Sequence, residues 1–291
     1  MRRFRAFLRL SRPEFLVGGL VFFWLGTRAA DGGLTWPHYL AGQGMVSSVQ
    51  LFAQYVNEHF DQATDAVTTN RTWFSGGSGV LPSGRLHELT ALRAAAVAGT
   101  AALGFGIWSA TFDGRLAVVG LVGLVGSWLY SAPPARLIAT GTGEAVASLI
   151  VTGLVPLAGA LSRGAVDWTL LGALTLPLVL ANLAMLLAVD APDEVADEVT
   201  GKRTLWVRLG STRAASVHGG VLLAVLAALL ALAPWRPAWS TGLALATTPL
   251  FAAQHYLVRY GRTGRRAYVL TLSAIGSLAA LALGMGVGTL I

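Results

Sequence analysis

Residues 221–233 read VLLAVLAALLALA, thirteen apolar residues without a charged or hydrogen-bonding side chain. They lie in an apolar window over 213–233, about the ~20 residues that an α-helix needs to cross a ~30 Å hydrocarbon layer. Residues 268–290 form a second window of the same kind. A soluble domain is typically about 25% charged, whereas this chain of 291 residues is 12% charged and 54% hydrophobic. These observations predict an all-α polytopic membrane protein.

Applied to the whole chain, the same criterion finds nine apolar segments, including these two. They are 13–29, 36–59, 88–110, 114–131, 143–162, 168–190, 213–233, 238–258 and 268–290. Four amide side chains interrupt the second segment, but it is retained because polar residues of a membrane bundle can face an internal cavity. The basic residues before the first segment are similar to the start of a signal peptide. No small-residue cleavage site follows them, so an uncleaved first helix is expected.

The net charge of +7 is distributed unevenly along the chain. With nine spans, the N-terminal arm and the loops after the even-numbered spans together carry 17 of the 21 Lys and Arg residues. The positive-inside rule then places the N-terminus and these loops in the cytoplasm, which predicts a multi-pass protein of the inner or plasma membrane. Because topology accounts for the basic excess, no nucleic-acid partner is predicted. The absence of cysteine excludes disulfides, thiolate metal sites and a cysteine nucleophile.

Acidic residues concentrate at two places, where eight of the 14 fall at the ends of the second and sixth predicted helices. The first motif has an i, i+4, i+8 spacing and consists of Asn57, Asp61 and Asp65. The second has an i, i+3, i+7 spacing and consists of Asp190, Asp193 and Asp197. On a regular helix each set forms a stripe along one face. Both motifs lie on the cytoplasmic side of the predicted topology.

Carboxylates one helical turn apart repel each other, and near a membrane each also carries a desolvation cost. A cation is therefore expected among them. Oxygen ligands without His or Cys suit a hard cation, and Mg²⁺ is usually held by carboxylates together with substrate phosphates. The motifs thus predict Mg²⁺ ligands for a bound diphosphate, namely Asn57, Asp61, Asp65, Asp190, Asp193 and Asp197. The alternative is that both motifs are solvated helix ends.

Basic residues follow each acidic motif. Arg71 comes after the first, and Lys202 and Arg203 come after the second. Lysine and arginine can contact the phosphate oxygens that a metal leaves free. The glycine-rich stretch FSGGSG at 74–79 has two interpretations, a phosphate-side loop or an ordinary flexible loop.

In combination, these motifs resemble those of the UbiA family of intramembrane aromatic prenyltransferases, and the resemblance covers nearly the whole chain. The family's NxxxDxxxD motif is matched by Asn57, Asp61 and Asp65, and its DxxxD motif with a GK(R)TL tail is matched by residues 193–205. Residues 130–137, YSAPPARL, are similar to the family's YSxPPxRL segment. Residues 70–84, NRTWFSGGSGVLPSG, resemble the loop of the branch nearest the dihydroxynaphthoate prenyltransferases of menaquinone synthesis.

The resemblance implies a single domain over 1–291 with nine helices around a central cavity and the acidic motifs at its cytoplasmic mouth. It also implies Mg²⁺-dependent transfer of a prenyl group from a polyprenyl diphosphate to a small aromatic acceptor in the membrane. Besides these substrates and the membrane lipids, no obligatory protein partner is expected. The implied catalytic residues are Asp61, Asp65, Asp193, Asp197 and Tyr130, and the implied diphosphate contacts are Asn57, Arg71, Arg136, Lys202 and Arg203.

Some assignments stay open at the level of sequence. Tyr130 could stabilise a carbocation through its ring face, or it could belong to the interfacial aromatic belt. Asp190 stands where the branch usually has Asn, and Glu58 stands where Asp is frequent. Two other functions are compatible with the pattern. One is a terpene cyclase of the same fold without an aromatic acceptor, and the other is a cation-coupled transporter whose carboxylates bind the ion.

Overall fold

The computed structural model describes residues 2–289. Helices account for 79% of the chain, and the described strands are one antiparallel pair of two residues each, in which Ala30 pairs with Val166 and Asp31 with Ala165. The all-α fold class predicted from the sequence is therefore confirmed. The helices are α1 (Arg2–Ser11), α2 (Leu16–Thr27), α3 (Trp36–Phe60), α4 (Gln62–Val67), α5 (Leu89–Ala110), α6 (Gly114–Ser131), α7 (Gly143–Leu149), α8 (Val155–Arg163), α9 (Trp168–Asp190), α10 (Glu194–Val199), α11 (Leu205–Ala231), α12 (Ala238–Leu245), α13 (Thr248–Tyr260) and α14 (Gly264–Val287).

Within the described residues the chain forms two compact units. The first unit consists of residues 2–66, 77–137 and 154–167, and it contains α1–α3, α5, α6, α8, the strand pair and nearly all of α4. The second consists of residues 67–76, 138–153 and 168–289, and it contains α7 and α9–α14. The single domain over 1–291 stays a prediction.

Six helical segments are long and apolar enough to cross a membrane, judged by length and composition over the described residues. They are Leu89–Ala110, Gly114–Ser131, Gly143–Arg163, Trp168–Val199, Leu205–Ala231 and Gly264–Val287. These correspond to six of the nine segments predicted from hydropathy. The remaining three, 13–29, 36–59 and 238–258, are helical as well but do not meet the same criterion. The count of nine spans stays a prediction.

The three weaker segments depart from the criterion for different physical reasons. In the first, α2 is only 12 residues long because the chain before it forms a 3₁₀ turn over Pro13–Phe15. In the second, the amides predicted to interrupt the segment lie within the 25-residue helix α3 and lower its hydropathy. In the third, α12 ends at Leu245 and α13 begins at Thr248, because Pro249 in the first turn of α13 lacks the N–H for an intrahelical bond and clashes with the preceding turn.

Helix α1 is an element that the hydropathy pattern did not predict. Its ten residues include four arginines, so a search for apolar windows passes over it. The helix ends where Arg12 adopts a left-handed conformation with φ of 41°, directly before Pro13. The chain therefore turns between α1 and the apolar helix α2.

In the first unit, α2 packs so closely on α8 that two glycines are required. A Cβ at Gly26 would overlap the backbone of Pro156, and a Cβ at Gly159 would overlap the backbone of Phe23. The atoms that would be struck belong to main chain, which cannot rotate away as a side chain can. Small residues of this kind permit close helix packing in membranes.

We expect Gly159→Ala to lower stability by about 1–3 kcal/mol, the usual cost of overpacking. The measurement is the midpoint of thermal unfolding of the purified protein in detergent. Gly104→Ala is the matched control, since Gly104 also lies in a helix of the first unit but a Cβ added there would meet no atom within 4 Å. Equal midpoints for the two variants would contradict the close α2–α8 contact.

In the second unit, α9 packs against α11 and α14, and α14 also packs against α12 and α13. The core between them contains Leu187, Trp206, Val258 and Leu270. Trp206 is the largest fully buried side chain, and it lies in the first turn of α11, shortly after the second acidic motif. This core therefore fixes the end of α9 relative to the start of α11.

Candidate active-site motifs

The first acidic motif spans the junction of α3 and α4 in the first unit. Helix α3 ends at Phe60, and Asp61 departs from helical geometry as its C-cap residue. The i to i+4 backbone hydrogen bonds continue across the junction, from Asp61 N to Asn57 O and from Asp65 N to Asp61 O, both 2.9 Å. The register predicted for Asn57, Asp61 and Asp65 thus persists although the helix is interrupted. Both aspartates are buried.

Asp61 lies between an amide and a guanidinium. Asn57 Nδ2 donates to Asp61 Oδ2 at 3.0 Å, and it also donates to Ser131 Oγ at 3.3 Å. Arg136 Nη2 is 3.6 Å from Asp61 Oδ1. Arg136 reaches this position because α6 ends at Ser131, before the pair Pro133–Pro134, and because Arg136 itself is left-handed with φ of 39°. The structure therefore brings three sequence-predicted residues together.

Glu58 is a buried carboxylate that protein donors occupy. Its side chain accepts hydrogen bonds from Ser78 N at 2.7 Å and Ser78 Oγ at 2.6 Å, and Arg12 Nη1 lies 3.8 Å away. Glu58 is 2% exposed. The adjacent residue of the loop, Gly77, lies against the Asp65 carboxylate so closely that a Cβ would overlap it. Glu58 thus holds Ser78 of the loop, and the preceding residue, Gly77, lies against Asp65. The Glu58 carboxylate is therefore occupied by protein donors.

We expect Ser78→Ala to lower stability by about 1–3 kcal/mol, because it leaves a buried carboxylate oxygen without its donor. Thermal unfolding in detergent measures the effect. Ser83→Ala is the control, since its hydroxyl donates to Val80 O from an exposed position in the same loop. If the unfolding midpoint of Ser78→Ala is no lower than that of the control, the contact between Ser78 and Glu58 contributes nothing to stability.

The second acidic motif departs from the regular helix predicted for it. Helix α9 ends at Asp190, residues Ala191–Asp193 form a 3₁₀ turn, and α10 begins at Glu194. Pro192 explains the break because it cannot donate an intrahelical hydrogen bond. The side chain of Asp190 is hydrogen-bonded to Glu144. The expected single stripe is therefore replaced by three carboxylates on three consecutive elements, the end of α9, the 3₁₀ turn and α10.

Asp193 accepts hydrogen bonds from the loop that follows the first motif in sequence. The residues of this loop that contact Asp193 belong to the second unit, as Asp193 does. Ser75 Oγ donates to Asp193 Oδ2 at 2.6 Å, and Gly76 contributes a backbone hydrogen bond. Arg71 lies near enough to interact electrostatically with Asp193, and its Nε donates to Gly76 O at 2.7 Å. The other oxygen, Asp193 Oδ1, is buried without a hydrogen-bond partner among the described residues. A buried carboxylate oxygen without a hydrogen-bond donor is suited to a hard cation, which proteins bind through oxygen ligands.

The residues after α10 form a compact turn around Asp197. Lys202 N donates to Asp197 O at 2.8 Å, and Lys202 Nζ lies 3.5 Å from Asp197 Oδ1. Thr204 caps α11 by accepting from Val207 N, and Leu205 N donates to Glu144 Oε1 at 2.6 Å. This arrangement accounts for the Lys-Arg-Thr-Leu tail: the lysine pairs with the motif, and the last two residues start α11.

Arg203 differs from its neighbour Lys202. It is exposed, and its backbone oxygen accepts a hydrogen bond from Arg208 Nε. Its side chain makes no described contact with an acidic residue of the motif. Its predicted role in diphosphate binding stays a prediction.

Both sequence interpretations of the glycine-rich stretch stay predictions, and the structure shows what its serines contact. In the second unit, Asn70 Nδ2 donates to Pro192 O at 3.3 Å and Thr271 Oγ1 donates to Thr72 Oγ1 at 3.2 Å, so residues 70–72 are anchored. The hydroxyls of Ser75 and Ser78 donate to the carboxylates of Asp193 and Glu58. Sequence reasoning missed both serines. The available signal was the position of two serines among glycines directly after an acidic motif.

Within either unit, no three acidic or histidine side chains of the described residues converge closely enough to hold a metal by themselves. The donor set is nevertheless one of hard oxygens, and Asp193 Oδ1 is a buried oxygen without a donor. These features fit Mg²⁺ bound by one or two carboxylates together with oxygens of its substrate. Ligation by all six predicted residues stays a prediction.

Tyr130 lies in the last turn of α6 and is partly buried. Its neighbour Ser131 is buried and accepts the hydrogen bond from Asn57 described above. The end of α6 that carries Tyr130 is therefore tied to the first motif. Its implied catalytic role stays a prediction.

Solved structures with the same fold cover almost the whole chain. A UbiA homolog from Archaeoglobus fulgidus bound to GPP and Mg²⁺ is 14% identical, with a TM-score of 0.67 and coverage of 96% of this chain and 99% of that one. A UbiA homolog from Aeropyrum pernix K1 is 15% identical, with a TM-score of 0.68 and coverage of 95% and 97%. A digeranylgeranylglyceryl phosphate synthase is 16% identical, with a TM-score of 0.63 and coverage of 99% of both chains. At these identities the likeness establishes the fold.

No curated protein matches the sequence. The model of the UbiA prenyltransferase family, in contrast, matches residues 16–275, which include both acidic motifs and the segment at 130–137. The resemblance noted from the motifs is thus supported over most of the length of the chain. This protein belongs to the UbiA prenyltransferase family.

Proposed function

We propose that this protein transfers a prenyl group from a polyprenyl diphosphate to a small aromatic acceptor in the membrane, in a Mg²⁺-dependent reaction that releases diphosphate. The observation that carries the proposal is the local environment of the two motifs. Each places a buried aspartate beside a basic side chain, Asp61 beside Arg136 and Asp197 beside Lys202. Such pairs can bind a charged headgroup through both its metal and its free oxygens. The GPP and Mg²⁺ bound to the Archaeoglobus homolog support this assignment.

In this mechanism Asp61, Asp65, Asp193 and Asp197, with Asn57 and Asp190, would hold Mg²⁺, which when bound neutralises the charge that develops on the leaving diphosphate. Arg71, Arg136, Lys202 and Arg203 would contact phosphate oxygens. The bond between the allylic carbon and oxygen breaks, and its electron pair leaves with the diphosphate. A ring carbon of the acceptor then forms the new carbon–carbon bond and releases its proton. The apolar helices exclude water, which would otherwise capture the allylic cation.

The acceptor we propose is a quinone precursor such as dihydroxynaphthoate, in keeping with the resemblance of residues 70–84 to the menaquinone branch. The cytoplasmic N-terminus and the cytoplasmic position of both motifs, in an inner or plasma membrane, belong to the same proposal. They rest on the 17 of 21 basic residues that the predicted topology assigns to that side.

The test pairs purified protein and Mg²⁺ with GPP and longer prenyl diphosphates, each with dihydroxynaphthoate, hydroxybenzoate, a glyceryl phosphate or no acceptor. Mass spectrometry of products and an assay of diphosphate release are the readouts. We expect release that depends on the aromatic acceptor and a product heavier by one prenyl group. A cyclic hydrocarbon or alcohol formed without an acceptor would identify the protein as a cyclase instead of a transferase. Ion flux in proteoliposomes without diphosphate release would identify a transporter.

A further inference from the structure

Four arginines on α1 have no carboxylate partner within the described part of the chain. They are Arg2, Arg3, Arg5 and Arg9, and all four are exposed. None makes a described hydrogen bond or ion pair with the protein, whereas Arg136 and Lys202 beside the two acidic motifs are paired with aspartates. These exposed charges are therefore available to an anionic partner outside the described chain.

The side chains of α1 divide into three sectors when they are placed at 100° per residue. Ala6 and Leu10 are buried in a cluster with residues of α3 and α5. Phe4 and Leu8, one turn apart, are 65% and 45% exposed. Arg5 and Arg9, also one turn apart, follow next around the helix. An apolar sector and a basic sector side by side are typical of a helix lying in a membrane interface.

The attachment of α1 also favours an interfacial position. Ten residues span only about 15 Å, too short to cross a bilayer. Ser11 Oγ and Tyr55 Oη are 2.7 Å apart, so the end of α1 is fixed to α3. The chain turns at Arg12, and the apolar helix α2 begins at Leu16. The helix is thus held next to α2, the first apolar helix of the chain.

We propose that α1 binds anionic lipid headgroups through Arg2, Arg5 and Arg9, with Phe4 and Leu8 placed among the upper acyl chains. A guanidinium can donate two parallel hydrogen bonds to a lipid phosphate. Phosphatidylcholine also has a phosphate, but its choline cancels the charge, so the attraction is to lipids with a net negative charge. The preference should weaken with salt because the arginines are exposed.

The absence of cysteine allows a local test in the full-length protein. Leu8→Cys is labelled with an environment-sensitive fluorophore, and the protein is placed in nanodiscs of phosphatidylglycerol and phosphatidylcholine. A nitroxide quencher is carried by one lipid or the other at equal mole fraction. We expect about fivefold stronger quenching by labelled phosphatidylglycerol, the factor expected for a single arginine at an anionic surface. In the Arg2→Gln/Arg5→Gln/Arg9→Gln background the two lipids should quench almost equally.

Gly104→Cys is the control position, because Gly104 is exposed on α5 and has no neighbouring side chain. Both lipids should quench a label there to the same extent. A phosphatidylglycerol preference that is equal at positions 8 and 104, or that survives loss of all three arginines, overturns the proposal. So does an unquenched label at position 8, which would place α1 in water, available to a soluble acidic partner. None of these outcomes depends on prenyl transfer.

Discussion

Replacing Asp193 by Asn should lower the turnover number by at least about 10²-fold while leaving the protein folded. The amide has the shape of the carboxylate, so its oxygen can still accept the hydrogen bond from Ser75 Oγ. What is lost is the negative charge at Asp193 Oδ1, the buried oxygen without a hydrogen-bond donor. The effect should therefore appear in diphosphate release and in the Mg²⁺ requirement, not in thermal stability.

Glu198→Gln is the matched control for this substitution. It removes one negative charge from the same helix, α10, but the side chain of Glu198 is exposed. We expect its turnover number to lie within about twofold of the wild type, since exposed charges are largely screened. Full activity of Asp193→Asn, or equal losses in the two variants, would remove Asp193 from the proposed metal site.

The membrane class and most of the helices could be predicted because apolar windows report on burial in lipid with little dependence on tertiary contacts. Predicted and observed boundaries agree closely for 114–131 and 168–190, where helices begin and end at Gly114, Ser131, Trp168 and Asp190. Helix α1 was missed because its arginines lower its hydropathy, although its apolar residues recur at helical spacing. The break before Pro249 was missed because an apolar window ignores the backbone N–H that proline lacks.

The acidic motifs could be predicted because clustered carboxylates are costly in a membrane and so indicate a function. Their local geometry could not. The 3₁₀ turn at Asp193 follows from Pro192, which the helical-stripe interpretation did not take into account. The serines were missed for another reason: the contacts of Ser75 with Asp193 and of Ser78 with Glu58 join residues 118 and 20 positions apart. Contacts at such separations depend on the folded chain, which spacing alone does not describe.

Gly77→Ala should reduce activity by about 10²-fold, which is the cost that a misplacement of about 1 Å can have in an active site. A Cβ at this position would overlap the Asp65 carboxylate, so either Asp65 or the loop must move. Ser78 resists movement of the loop, because its N–H and hydroxyl are both bound to Glu58. Displacement of Asp65 should therefore raise the Mg²⁺ concentration needed for half-maximal activity as well as lower the turnover number.

Gly84→Ala separates this collision from simple backbone strain. Gly77 and Gly84 have nearly the same left-handed backbone, with φ of 64° and 67°, but a Cβ on Gly84 would meet nothing within 4 Å. Both variants should lose about 1–2 kcal/mol of stability, the cost of placing an L-residue in this conformation. Only Gly77→Ala should also shift the Mg²⁺ dependence. If Gly84→Ala shifts it equally, strain in the loop explains the loss of activity, and the contact between Gly77 and Asp65 has no part in positioning the carboxylate.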